Sequence, residues 1–409
     1  MKIALLGYGK EGRATENYFK SRSKDATFDI FENETLEEIQ SRDYSNYDFI
    51  FRSPSIPPFA SPKLTSITKY FFDHYPCRII GVTATKGKGT ICSFIKTLLD
   101  AEGEDAYLVG NIGNPAIDVL DQLKPDSVVV YEMSSFQLWD LEKSPHIAVI
   151  GHLEPDHLNV HKDYAEYLNA KGNIARFQTP DDYCIYNAEN PAATELSRLS
   201  PAHKVPYPFE IPDNIRSVIQ LPGGHNIKNA MAAIAAVASY KNISPDEYLS
   251  TSASLIRQGL SDFHGLPHRL EFIREAHGIK YYDDNFSTNP SSTRVAINAF
   301  PDNDLVVIVG GRDKTMGEDL PEIYNILKTP TIKKIILLGE SGHALAKKYP
   351  DPRFIPVDSL EKAVETATKT AESLQNPIVL MSPAAASFDM FKDVYDRGSQ
   401  FQRLVKNLT

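Results

Sequence analysis

Between Gly81 and Thr90 the sequence reads Gly-Val-Thr-Ala-Thr-Lys-Gly-Lys-Gly-Thr. Glycine lets backbone N–H groups turn toward an anion, lysine supplies charge, and a following helix adds its N-terminal dipole. The apolar run Arg78–Val82 reads as a buried strand before the loop, and an amphipathic helix follows it. A flexible basic turn has the same composition, but these flanks favour a phosphate cradle. Lys88 would meet the β- and γ-phosphates of a nucleotide, and Thr90 would offer its hydroxyl to Mg²⁺. The strict G-x-x-x-x-G-K-[ST] pattern is not met. Val82 stands where its first glycine should be and Gly89 where its hydroxyl should be.

Two more groups could serve the same chemistry. Glu132 ends the apolar run Ser127–Tyr131, where a carboxylate can hold Mg²⁺ beside a phosphate loop. After the run Ile147–Ile150 comes Gly151-His-Leu-Glu-Pro-Asp-His-Leu-Asn-Val-His161. Lone histidines are mostly structural or solvated. Three in one loop with two acids point to a metal or a substrate.

The elements that must position these residues belong to a chain of 409 residues, too long for one core. Apolar residues make up 42%, enough for packed cores. The net charge of −10 argues against a protein whose main task is gripping nucleic acid. Cys77, Cys92 and Cys184 are scattered and odd in number, which fits a reducing compartment and no disulfide framework. No signal peptide is expected, because the N-terminus turns polar early. No apolar run approaches the ~20 residues of a membrane span. A cytoplasmic protein with no membrane or nucleic-acid partner is expected.

Short apolar runs alternate with helical patterns, the signature of α/β architecture. Three blocks separate, at residues 1–75, 76–265 and 266–409. The first has strands Lys2–Leu6, Thr27–Phe31 and Asp48–Phe51, the last running into the proline-rich Ser53–Pro58 loop. The second holds the phosphate loop and the alanine-rich helix Asn226–Tyr240. The third has strands Leu305–Val309, Lys334–Leu338 and Ile378–Met381 and a helix Leu360–Leu374, with Asp358 and Glu361 as its capping box. Ligands in such sheets lie beyond the carboxyl ends of the strands, which flags the loops Gly310–Lys314 and Ser382–Ser387.

Read together, Gly81–Thr90, Tyr131-Glu-Met-Ser-Ser-Phe-Gln-Leu138, Glu154-Pro-Asp-His-Leu158 and Gly224-His-Asn-Ile-Lys-Asn-Ala230 resemble the Mur ligases, which build the peptide of bacterial peptidoglycan. Asn111 in Gly110–Pro115, Phe263–Arg269 and Ser382–Lys392 resemble the branch that adds D-glutamate. The resemblance covers essentially the whole chain, in order. It implies three domains: a Rossmann-like N-terminal domain for a UDP substrate, a central P-loop ATPase domain with a mostly parallel sheet, and a Rossmann-like C-terminal domain. It implies ATP-dependent joining of D-glutamate to UDP-N-acetylmuramoyl-L-alanine through an acyl phosphate, by a monomer.

The resemblance also implies roles for residues. Lys88, His157 and Lys171 would be catalytic. Lys171 lies in Tyr167-Leu-Asn-Ala-Lys171, where the family's lysine is carbamylated; from the residues alone it would read as a solvated helix lysine. Thr90 and Glu132 would hold one Mg²⁺, and His157 and Lys171 a second. Thr83, Thr85, Lys86, Gly87, Lys88, Gly89, Thr90, Asn226, Asn229, Arg269 and Asp284 would contact ATP, with Asp284 at the ribose. Gly9, Lys10, Glu11, Ser53, Pro54, Asn111, Ser134 and Gln137 would contact the UDP substrate. Thr288, Lys314 and Ser387 would hold D-glutamate.

Some features pull the other way. Gly7-x-Gly9-x-x-Gly12 after a strand, with Glu32 about 20 residues on, is also an NAD fingerprint. Folylpolyglutamate synthase has a similar loop, but nearer its N-terminus. A ligase for another amino acid, or a homologue that binds nucleotide without turnover, would share most of the motifs. Ala84 stands where relatives usually carry glycine; at positive φ it would cost about 1 kcal/mol. Gly89 leaves Thr90 as the hydroxyl at the end of the loop. Phe286 replaces a lysine near the γ-phosphate. Glu11 replaces a threonine and is expected to weaken diphosphate binding unless it points away. Gly151 and Ala385 also differ, with no evident consequence.

Overall fold

The computed structural model describes residues 1–313 and 316–408. The chain divides into two compact units, Met1–Ile219 with Asn226–Phe263, and Gln220–His225 with His264–Thr409. Among the described residues no helix is long and apolar enough to cross a membrane.

The first unit holds two parallel sheets. β1 (Lys2–Leu6), β2 (Thr27–Phe31), β3 (Phe49–Arg52) and β4 (Leu64–Thr65) run in the order β2-β1-β3-β4. β5 (Arg78–Thr83), β6 (Ala106–Gly110), β7 (Val128–Glu132), β8 (Ile147–Ile150), β9 (Tyr183–Asn187) and β10 (His203–Tyr207) run in the order β10-β9-β8-β5-β7-β6. The central strands β7 and β8 of this second sheet are buried along their whole length and mostly apolar, as strands of a parallel sheet covered on both faces are. A buried salt bridge from Arg52 of β3 to Asp140 ties the small sheet's loop to the larger one.

Register fixes the working end of that sheet. Val82 pairs with Glu132, and Thr83 with Ile150. The loops after β5, β7 and β8 therefore emerge side by side, which brings the phosphate loop, Ser134–Phe136 and the histidine loop to one edge.

The second unit contains β11 (Glu271–Ala276), β12 (Ile279–Asp283), β13 (Asp304–Val309), β14 (Ile332–Leu338), β15 (Phe354–Val357) and β16 (Pro377–Met381), in the order β11-β12-β16-β13-β14-β15. All pairs are parallel except the edge hairpin β11–β12. The helix expected over Leu360–Leu374 ends at Ala371, and its cap is shifted by one residue. Ser359, not Asp358, accepts from the Lys362 N–H. Asp358 lies outside the first turn with its side chain fully exposed.

Candidate active site

The loop after β5 turns on Gly87, whose φ of 87° lies in the left-handed region open to glycine. A Cβ there would also sit 2.9 Å from Oδ1 of Asn229, so the loop is pressed against that side chain. Asn229 donates to Oδ1 of Asn226, 3.1 Å away, on the same helix face. Lys88 and Gly89 open the helix Lys88–Ala101, with Thr90 half-buried in its first turn. The Lys88 ammonium curls back toward the carbonyls of Ala84 (2.8 Å) and Thr85 (3.1 Å). Lys86 pairs with Glu154 at 2.7 Å.

Lys171 approaches the same loop from the helix Tyr164–Arg176. It is 1% exposed, and its Nζ donates to Thr83 Oγ1 and the Ala84 carbonyl, both at 3.0 Å. Burial, and then the nearby Lys88 charge, push its amine well below the ordinary lysine range, against the opposing pull of Asp156 and Glu132. It is therefore not a solvated helix lysine. Glu132, at the end of β7, is itself buried.

These residues meet at a cavity of about 260 Å³ lined by Lys88, His157, Lys171, Pro54, Asn111 and Ser134, among others. The three residues predicted to be catalytic and three predicted for the UDP substrate share one space. Ser135, Phe136 and Tyr167 also line it and were not singled out from sequence, though all three lie within the quoted motifs. His157 reaches the cavity from a left-handed turn, φ 54°.

Several assignments change. Thr83 is fully buried; its hydroxyl donates to the Met133 carbonyl and accepts from Lys171, so it supports the loop and offers no surface to a nucleotide. The Thr85 hydroxyl is likewise committed, to Glu154 and the Tyr167 hydroxyl. Of the three histidines, His157 alone lines the cavity. His161 is buried, bonds Ser135 Oγ at 2.9 Å and stacks on Phe136, and burial lowers its pKa. His152 bonds the loop through its carbonyl, which accepts the Thr85 N–H at 2.7 Å. Gln137 is 1% exposed. Its Oε1 accepts from the Ser134 N–H and its amide donates to Glu11, so it orients Ser134 and does not itself face the cavity.

Glu11 is occupied within the protein. It turns onto Gln137 at 3.0 Å, and burial raises its carboxyl to about 7 despite that bond and the charges of Arg52 and Lys10. The Lys10 ammonium is also engaged, at 2.7 Å from the Gly113 carbonyl near Asn111. This first helical turn thus braces two walls of the cavity. Gly9 stays open to solvent, and Ser53 packs where a Cβ on Gly7 would lie only 2.8 Å from it.

The Ala84 departure has a partner. Ala84 is not among the positive-φ residues, so the expected strain does not arise. A Cβ on Gly151 would lie 2.7 Å from the Ala84 methyl. The glycine at 151 makes room for the alanine at 84. In thermal unfolding, Gly151→Ala should destabilise by about 1–3 kcal/mol through overpacking. Adding Ala84→Gly should recover most of the loss; additive effects would show that the two sites are uncoupled.

In the second unit, Phe286 is a platform. The Arg269 guanidinium lies 4.9 Å from its ring centre, and Tyr395 meets it edge-on at 5.2 Å. Where a lysine was expected, an aromatic ring holds an arginine. His268, Glu271 and Asp283 bring ligand-type atoms within 4.8 Å of one another. The Gln402 amide already donates to both carboxylates, at 2.8 and 2.9 Å. Asp284 is buried, with its carboxyl raised by burial to about 7. It accepts from Leu270 N–H and Ser382 Oγ, so here it ties the Arg269 segment to the β16 loop and does not stand open for a ribose. Thr288 lines a narrow cleft with Arg312, Ser341 and Ala385. Ser387 is buried beside that loop. Lys314 lies outside the described residues.

Comparison with known proteins agrees on one group. Residues 82–217 match the Mur ligase middle domain, and residues 268–385 match the Mur ligase glutamate ligase domain. A Clostridium botulinum protein named UDP-N-acetylmuramoylalanine–D-glutamate ligase is 32% identical over 100% of this chain and 97% of its own. The fold resembles MurF from Acinetobacter baumannii, with TM-score 0.62, 15% identity and 98% and 93% of the two chains covered. It also resembles the MurF ligase from Thermotoga maritima in complex with ADP, with TM-score 0.59, 13% identity and 99% and 95% coverage.

Proposed function

The chain belongs to the Mur ligase family, and from that premise we propose that it joins D-glutamate to UDP-N-acetylmuramoyl-L-alanine while splitting ATP to ADP and phosphate. The relative that bears this activity in its name matches over the full length, which supports the choice of substrates. The observation that carries the proposal is the single cavity shared by Lys88, His157, Lys171, Pro54, Asn111 and Ser134.

The chemistry follows from the reactants. A carboxylate is a poor electrophile at neutral pH. Transfer of the γ-phosphoryl group to one of its oxygens makes an acyl phosphate with a good leaving group. The amine of D-glutamate attacks the carbonyl carbon, a proton is lost from nitrogen, and phosphate departs as the amide forms. Lys88 screens the transferring phosphate. Asn111 and Ser134 hold the alanyl end of the acceptor, with Gln137 and Glu11 fixing Ser134 from behind. The Gly7–Gly12 turn and the Ser53–Pro54 loop serve the UDP part, and not NAD.

Mg²⁺ suits the donor set: a buried strand-end carboxylate, a hydroxyl, an imidazole and a carbamate oxygen. Thr90 and Glu132 would hold one ion, and His157 with carbamylated Lys171 a second. Bound there, the ions neutralise phosphate charge. Asn226, Asn229 and Arg269 would contact the nucleotide, and Thr288, Lys314 and Ser387 the D-glutamate. The protein works as a cytoplasmic monomer on this reading.

The test is ADP release with UDP-N-acetylmuramoyl-L-alanine, ATP and a panel of amino acids. D-glutamate should trigger it. Release for a different amino acid only would retract the substrate and keep the ligase class. Nucleotide binding without turnover for any amino acid would contradict the ligase reading.

A further inference from the structure

The helix Lys10–Arg22 of the first unit carries an acid, Glu11, in its opening turn. Glu11 Oε1 accepts from the Gln137 amide at 3.0 Å. Gln137 Oε1 in turn accepts from the Ser134 N–H at 2.9 Å and from the Ser134 hydroxyl at 3.1 Å. Ser134 lines the cavity, so Glu11 stands two hydrogen bonds behind its wall.

The other carboxyl oxygen has nothing to hold. Glu11 Oε2 is buried and has no hydrogen-bond partner among the described residues. The charged and titratable groups around it are engaged elsewhere. Arg52, from β3, gives its terminal nitrogens to Asp140 and to the carbonyls of Ile56 and Phe136, and its Nε is also buried without a partner. Lys10, on the same turn, points its ammonium at the Gly113 carbonyl. Tyr131, from β7, feels the Glu11 charge, but its hydroxyl is taken up by Thr68 at 3.0 Å. The carboxyl thus has cations nearby and no closed salt bridge. A buried carboxylate in that position is costlier than the neutral acid, and burial raises its pKa to about 7.

The acceptor in the ligase reaction is itself strongly anionic, with a diphosphate diester and a carboxylate that are both ionised at neutral pH. Like charges brought close at a partly desolvated site disfavour each other. Binding of the acceptor and ionisation of Glu11 therefore compete. The bond from Gln137 survives in both states, because Oε1 accepts either way. Ser134 stays placed, and only the charge behind it changes.

We propose that Glu11 is the proton-carrying residue of the acceptor site: the UDP-linked substrate binds the protein with Glu11 uncharged, and where Glu11 is ionised one proton from solvent joins Oε2 as the substrate enters. The assignment rests on the ligase reading above. Below about pH 7 the acid already holds its proton and affinity is flat; above it, affinity falls by up to about tenfold per pH unit as the competent form is depleted.

The experiment is calorimetric titration of the full-length protein with UDP-N-acetylmuramoyl-L-alanine, in the presence of Mg²⁺ and a non-hydrolysable ATP analogue, in buffers of different protonation enthalpy. At about pH 7.5 the wild type should take up about three-quarters of a proton on binding, the ionised fraction of an acid that titrates at about 7. Its Kd should rise about 10-fold from about pH 6.5 to about pH 8.5. Glu11→Gln keeps an oxygen for the Gln137 amide but has no proton to gain. Glu11→Thr, the residue expected from relatives, removes the acid in a second way. In both variants the rise in Kd and the extra proton uptake should vanish, while the pH dependence of ATP-analogue binding should match the wild type. A wild-type Kd that is flat across the range overturns the proposal, and so does a rise that persists in Glu11→Gln and Glu11→Thr. A wild-type protein that binds no acceptor at any pH sinks the ligase reading, and this proposal with it.

Discussion

Lys171→Ala is expected to lose turnover by at least ~10²-fold, the scale of removing a group that orients or screens charge in an active site. The reason is the state of the amine. Lys171 is buried against Thr83 and Ala84 and is held well below the usual lysine range by burial and by Lys88. A neutral amine adds CO₂: nitrogen forms the new N–C bond, a proton leaves to solvent, and the product carbamate is negative. Alanine can do none of this. High chloride with bicarbonate should restore part of the rate by returning a small anion to the gap. Unchanged turnover would refute the role.

The same residue makes a stability prediction with a definite sign. Burial holds the folded-state pKa well below that of an unfolded lysine, so between the two values the unfolded chain binds more protons than the folded chain. Wild-type stability therefore rises with pH until the unfolded lysine titrates. Lys171→Met removes that burden. The margin by which its midpoint exceeds wild type should shrink as pH rises toward the unfolded lysine's own titration, in CO₂-depleted buffer. A margin that does not shrink toward alkaline pH would contradict an amine depressed by burial.

Lys88→Met is the second large effect, expected to lower kcat by about 10²–10³-fold. Lys88 follows the left-handed Gly87 and lines the cavity with its ammonium against the loop carbonyls. Methionine keeps the stem and removes the charge proposed to meet the transferring phosphate. A second consequence follows from geometry. Lys88 is the main charged group depressing Lys171. Without it the Lys171 amine holds its proton to higher pH, so the residual activity should shift its acidic limb toward alkaline pH. The pH profile of kcat/KM measures this, and an unshifted limb would break the proposed link between the two lysines.

The central strands were plain in the sequence because buried parallel strands are continuous apolar runs: β1 and β8 fall where expected, and β5, β7, β13 and β16 differ only at their ends. Edge strands were less uniform: β2, only partly buried, also falls where expected, but β10 was not legible. β10 reads His-Lys-Val-Pro-Tyr, with its first two residues exposed and a proline that only an edge tolerates. At the site, types and spacing singled out the Gly81–Thr90 loop, Glu132 and His157, of which Lys88 and His157 line the cavity, but the role expected of Lys171 came from resemblance. Motif position could not reveal which polar groups would be used up internally. Thr83, Gln137 and Asp284 lie in the right segments, yet their hydrogen bonds point inward. The compensation between Ala84 and Gly151 joins positions far apart in the chain and needs the register of β5 with β8 to be seen.

The most direct test of an acyl-phosphate ligase follows one oxygen atom. UDP-N-acetylmuramoyl-L-alanine labelled with ¹⁸O in both carboxylate oxygens is turned over with ATP and D-glutamate, and the released phosphate is weighed by mass spectrometry. The account predicts one ¹⁸O in each phosphate, in step with ADP, because the oxygen that accepts the γ-phosphoryl group leaves with it when the amide forms. Phosphate released without the label would mean that ATP is hydrolysed by water and that the carboxylate is never phosphorylated.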